Sequence, residues 1–139
     1  MALLPRLAQP RARVPYEYQA SQPLVLLVGF DPADRLRVRV TLERVGYCVL
    51  WGTPEETPSI LRIILPALIM VDIKAGRDPL ALLAGLRRMA ECRSIPVVAL
   101  TCDPELGARV VAAREGFSGF INTPLDLRCL GSQVAEFIA

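Results

Sequence analysis

Five short apolar runs, separated by segments that open with helix-cap signals, leave this chain few ways to fold. The first run, Leu24 to Val28, is apolar at every position, the pattern of a strand covered on both faces. Asp31-Pro32 follows, an N-cap residue with proline at the first helical position, and the segment runs to Val45 with Gly46 as its stop. Tyr47 to Trp51 reads as the second strand. Thr53-Pro54-Glu55-Glu56 has capping-box form, and Pro58 delays the helix start to Thr57, with Ile60 to Leu65 completing it. Ala67 to Val71 is the third strand, ending at Asp72. Asp78-Pro79 opens a helix running to about Glu91. Ile95 to Leu100 is the fourth strand, and Asp103-Pro104-Glu105 caps a helix that ends before Gly116. Ser118 to Ile121 is a short fifth strand and Asp126 to Ile138 a last helix. Strand and helix alternate over short connections, which implies a (βα)5 α/β fold with a parallel sheet covered on both faces.

One segment is ambiguous. Arg35-Leu36-Arg37-Val38-Arg39-Val40-Thr41-Leu42-Glu43 alternates with period two, a strand signature. Its cap, its stop and its length favour helix. As a helix it carries apolar residues on two faces, with Leu36 and Val40 outward.

Composition narrows the function classes. At 139 residues and 53% hydrophobic, the chain has material for one domain and one core. Residues 1–22, punctuated by prolines and holding Arg6, Arg11 and Arg13 against Glu17, read as a mobile tail, and 23–139 as the domain. The domain holds thirteen basic and thirteen acidic side chains, a balance that argues against nucleic acid as the main partner. The longest largely apolar stretch, Ile63 to Val71, is broken by Pro66, so no membrane span is expected, and no signal peptide is evident. Histidine is absent, which excludes it as a base or a metal ligand. Cys48, Cys92, Cys102 and Cys129 lie far apart with no C-x-x-C pair; a zinc site is not expected. They read as small buried hydrophobes of a cytoplasmic, reducing compartment.

In parallel α/β sheets the working site lies at the carboxyl ends of the strands. That edge gathers Gly29-Phe30-Asp31, Asp72, Thr101 and Thr123. In order and spacing these strand ends resemble the receiver domain of bacterial response regulators, over roughly residues 23–138. Val25-Leu26-Leu27-Val28 is similar to the first receiver strand. Pro66-Ala67-Leu68-Ile69-Met70-Val71-Asp72 is similar to the third strand and its phosphoacceptor. Ile95 to Thr101 is similar to the fourth strand with its signalling hydroxyl, and Gly116 to Asp126 to the fifth strand and the turn beyond it. The resemblance implies a flavodoxin-like doubly wound sheet in the order 2-1-3-4-5. It also implies an aromatic switch at Phe120, and docking surfaces on the first helix and on the face made by helix four, strand five and helix five.

The departures from the family pattern bear on function. Receivers place two acidic residues after the first strand to bind Mg²⁺; here those positions are Gly29 and Phe30, and Asp31 falls one residue late. Receivers place a lysine before the proline that follows strand five; here it is Thr123. The loop Ile73-Lys74-Ala75-Gly76-Arg77-Asp78 is about one residue shorter than usual and lacks the common proline. Phosphoryl transfer gathers negative charge that Mg²⁺ and lysine ordinarily neutralise. Asp72 alone allows no more than weak Mg²⁺ binding, so Asp72 and Thr101 read as an unused acceptor and a local turn hydroxyl. Lys74, the only lysine, reads as a solvated loop side chain, or more sharply as a fixed cation for Asp72. Phe120 reads as an aromatic packed in one place. Leu127, Leu130, Val134 and Phe137 read as the buried stripe of an amphipathic helix.

The expectation is a degenerate, non-enzymatic receiver without a cofactor. It serves as an interaction module for a signalling protein or histidine kinase, or as a homodimer, away from nucleic acid and membrane. The alternatives are a conventional receiver phosphorylated on Asp72 and a flavodoxin-like small-ligand domain. Against the latter, Gly29-Phe30-Asp31-Pro32 offers no glycine-rich phosphate cradle.

Overall fold

A computed structural model describes residues 22–73, 78–113 and 116–138. Its strands are β1 (Leu24–Val28), β2 (Cys48–Gly52), β3 (Leu68–Asp72), β4 (Val97–Thr101) and β5 (Gly119–Asn122). Its helices are α1 (Pro32–Arg44), α2 (Thr57–Leu61), α3 (Pro79–Arg87), α4 (Pro104–Ala112) and α5 (Leu127–Ile138). All strand pairs are parallel and the order is β2-β1-β3-β4-β5, the doubly wound flavodoxin-like sheet.

Three helices start the same way. Asp31, Asp78 and Asp103 hold extended backbone and accept hydrogen bonds from Asp34 N at 2.9 Å, Ala81 N at 3.1 Å and Glu105 N at 3.0 Å. Each such cap contributes about 1 kcal/mol, and the proline after it removes one amide that would otherwise lack a partner. Gly46, at φ 103°, ends α1 in a backbone region that other residues rarely adopt. Thr53 and Glu56 form the reciprocal capping-box bonds, Glu56 N to Thr53 Oγ1 at 3.0 Å and Thr53 N to Glu56 Oε1 at 2.9 Å.

The sheet separates two apolar layers. Val25 and Leu27 of β1 point to the α1/α5 side with Val38, Leu42, Leu130 and Val134. Leu26 and Val28 point to the opposite side with Leu61, Leu83, Leu86 and Val110. Full burial of one such side chain contributes roughly 1.5–3 kcal/mol, which is why the central strands are apolar without alternation. In α5, Leu130 and Val134 are buried while Leu127 and Phe137 pack half-buried on the same layer. That series is core.

Two helices are shorter than the sequence suggests. α2 stops at Leu61; Ile63 in the following turn and Leu65 in the connection beyond it are 77% and 53% exposed. Pro66 disfavours helix at the residue before it. α3 stops at Arg87 and gives way to a 3₁₀ turn at Ala90–Cys92. The Arg87 guanidinium donates to the carbonyls of Cys92 and Ile95, both at 2.8 Å, and so holds the turn that replaces another helical turn.

Two of the four cysteines also depart from expectation. Cys48 and Cys92 are buried, but Cys102 and Cys129 are exposed. Cys102 lies in the connection between β4 and the Asp103 cap, and Cys129 faces solvent in the first turn of α5, its Sγ 3.5 Å from Asp126 Oδ2. The Asp126 carboxyl lies below its usual range, held there first by the Arg128 side chain. No helix of the described residues is long and apolar enough to cross a membrane.

Candidate functional site

Parallel pairing brings the strand ends to one edge in a fixed register. Val71 pairs with Val28, and Asp72 pairs with Leu100, one residue before Thr101. Ile73 N donates to Leu100 O at 2.9 Å, and Thr123 N donates to Thr101 O at 3.0 Å, which ties the connections after β3 and β5 to β4. Asp72 is therefore carried on the central part of the sheet, half-buried at its edge.

Gly29 lies against Asp72. Its φ is 79°, and a Cβ built there would sit 3.7 Å from the Asp72 backbone oxygen. Its amide donates to Gly52 O at 3.1 Å, so it joins the site through main chain only. Phe30 is 8% exposed and its ring belongs to the α1/α5 core layer. Asp31 accepts from Asp34 N as the cap of α1. Where a receiver has carboxylates after the first strand, this chain has bare backbone and a core aromatic. Magnesium takes a near-octahedral shell of oxygens, and this donor set does not fit a tight Mg²⁺ site. No group of three or more Asp, Glu or Cys side chains among the described residues is placed to hold a metal ion.

Thr101 is 4% exposed and its Oγ1 accepts from Asp103 N at 3.0 Å. Its hydroxyl oxygen serves the turn into α4, as the sequence suggests. Thr123 is half-buried and joined to Pro124 by a cis peptide bond. Lys74 lies outside the described residues, as do the tail residues 1–21.

A pocket of about 280 Å³ opens beside Asp72, lined among others by Pro54, Glu55, Ile73, Asp78 and Leu82. No lysine or arginine among the described residues lines it. The arrangement concentrates carboxylates where phosphoryl transfer would add further negative charge. Glu55 was not anticipated as a neighbour; it reaches the pocket because β2 delivers its following turn to the same edge.

Phe120 packs against a partner that the sequence reading missed. A Cβ added at Gly107 of α4 would lie 2.5, 2.6 and 2.8 Å from three carbons of the Phe120 ring. The ring thus occupies the space that any other residue at 107 would fill. A glycine inside a capped helix costs about 1 kcal/mol relative to alanine, and that cost was the available signal.

No family model matches the chain. An uncharacterized 14.6 kDa protein from the sodA1 3′ region of Leptolyngbya boryana is 30% identical over 104 residues, 73% of this chain and 79% of that protein. Response regulator Rre1 of Synechocystis is 32% identical over 118 residues; these cover 83% of this chain but 51% of the regulator, so the chain spans about half the length of that relative. A response regulator from Thermotoga maritima superposes with a TM-score of 0.74 at 28% identity, covering 84% of this chain and 98% of that structure. Similarity in sequence thus runs together with the strand order and with the aspartate at the end of the third strand: this chain belongs to the receiver-domain family of response regulators.

Proposed function

We propose that this receiver works as a phosphorylation-independent protein-interaction module in bacterial signalling, with another signalling protein as its partner. The observation that carries the reading is the surroundings of Asp72. Main-chain Gly29 and core-bound Phe30 replace the paired carboxylates, Thr123 replaces the lysine, and the adjoining pocket is lined by Glu55 and Asp78. With the carboxylate pair and the lysine replaced, less of the charge accumulating on a transferred phosphoryl group is offset. Packing of the Phe120 ring against Gly107 supports the same reading, because the aromatic at the family's switch position has a seat on α4 with Asp72 unmodified.

A second reading, the conventional phosphoreceiver, draws on one observation: Asp72 opens onto a pocket wide enough for a small phosphodonor to approach. Intact mass after incubation with Mg²⁺ and acetyl phosphate separates the two, with Asp72→Ala as control. The interaction reading expects unmodified mass in a folded protein. An adduct on the wild type that disappears in Asp72→Ala would overturn phosphate independence and give Asp72 its family role.

A further inference from the structure

The outer flank of α1 carries a second, separate feature. Arg35 and Arg39, one helical turn apart, both lie over the ring of Trp51 on the edge strand β2, at 4.8 and 5.6 Å from its centroid. With Pro32 and Leu36 they line a groove of about 230 Å³. Leu36 is 58% exposed and Val40, the next outward position, 39% exposed.

Stacking uses the flat face of a guanidinium and leaves its N–H edge free to donate in pairs to a carboxylate. Arg39 donates to Glu43 at 3.3 Å, whereas Arg35 makes no ion pair among the described residues. α1 holds four arginines against Asp34 and Glu43, a local excess of positive charge within a domain whose charges balance as a whole. The flank therefore offers preoriented cations beside an exposed leucine and a tryptophan, the residue types that anchor protein interfaces.

We propose that this groove between α1 and β2 docks an acidic protein segment that carries an aliphatic anchor. Its Asp or Glu carboxylates take the guanidinium edges of Arg35 and Arg39, and its anchor lies on Leu36 and the indole. The proposal rests on the interaction part of the function above but not on the state of Asp72. A phosphoryl adduct on Asp72 sinks phosphate independence and leaves the groove standing; loss of groove binding does the reverse. Nucleic acid fits less well, because Asp34 and Glu43 interrupt the basic flank and phosphate tracking needs a continuous one.

Trp51 is the only tryptophan in the chain, so its fluorescence reports on the groove directly. Short peptides selected from a random library against the full chain are titrated while Trp51 emission is followed. The expected result is enrichment of Asp or Glu around a Leu, Ile or Val, with saturable binding. Replacing the acids of the peptide by Lys, or Arg35→Ala with Arg39→Ala in the protein, weakens binding about ten-fold or more. Raising salt also weakens it. Selected peptides without acidic enrichment, equal binding of the Lys peptide, or a tighter response to a single-stranded RNA oligonucleotide would overturn the proposal. The Lys-peptide comparison uses the unaltered protein, so it decides the matter even if the double variant fails to fold.

Discussion

Replacing Gly107 by alanine tests the seat of Phe120 through the sign of the effect. In a helix interior this change is ordinarily stabilising, by about 0.8–1.0 kcal/mol. Here the new methyl would stand 2.5 Å from a ring carbon, whereas carbons in contact sit at roughly 3.5–4.0 Å. The ring must retreat by about 1 Å, and Phe120 is held on β5 by its pairing with Ala99. It therefore rotates outward and loses its contact with α4. Overpacking of this kind costs about 1–3 kcal/mol. Subtracting the propensity gain leaves a net loss of about 1 kcal/mol, a fall in melting temperature of about 4–6 °C for a domain of this size. With Phe120→Ala in place the slot is empty, and Gly107→Ala should stabilise by the full propensity term. The cycle then gives a coupling of about 2 kcal/mol. Urea unfolding of the four proteins, followed by circular dichroism, supplies the numbers. A single Gly107→Ala variant that is more stable than wild type would refute the reasoning, because it would mean that the ring does not fill the slot.

Burial, with Glu43 adding to it, pushes the Cys48 thiol up to about 11 from 9.0. The native state thus favours the neutral thiol: its contribution is complete below pH 9 and is lost as pH rises toward 11. Stability should fall over that window by up to about 1.4 kcal/mol per pH unit for this group, and a Cys48→Ala variant measured by urea unfolding should fall less steeply; equal slopes would count against it. Burial likewise raises the Cys92 thiol. Titration with a thiol reagent near neutral pH should accordingly modify Cys102 and Cys129 in the native protein and all four cysteines after unfolding. Arg87→Leu keeps much of the side-chain volume but strands the carbonyls of Cys92 and Ile95. It should cost about 2 kcal/mol, and an unchanged unfolding midpoint would show that water replaces the clamp.

The strands and most helix starts were legible because each is fixed by a few adjacent residues. Asp31-Pro32, Asp78-Pro79 and Asp103-Pro104 cap helices at the expected positions. The period-two run in α1 also resolves simply. Val38 and Leu42 turn inward, Arg35 and Arg39 flank Trp51, and Leu36 and Val40 turn outward. Each row is spaced by four, so the strand-like alternation is a by-product of three helical rows with different chemistry. What escaped the sequence depends on contacts between distant segments. The early end of α3 is set by Arg87 reaching to Ile95, and the seat of Phe120 by a glycine on another element. Exposure of Cys102 and Cys129 follows from where α4 and α5 begin, and residue type alone pointed the other way. At the candidate edge the sequence pointed to Gly29, Phe30 and Asp72, and the fold sets Gly29 against Asp72, but the burial of Phe30 in the core was not legible.

That placement of Phe30 sets what a carboxylate at this position would cost. Placing a carboxylate there by Phe30→Asp removes an aromatic from the layer that binds α1 to the sheet and sets a charge against that layer. Emptying such a position costs about 3 kcal/mol or more before any ion is bound. A single step toward a metal site thus carries a folding penalty that a compensating change elsewhere in that layer would have to offset. Packing holds Phe30 in place, so substitutions at Asp72, half-buried at the sheet edge, are expected to be tolerated more freely than at Phe30.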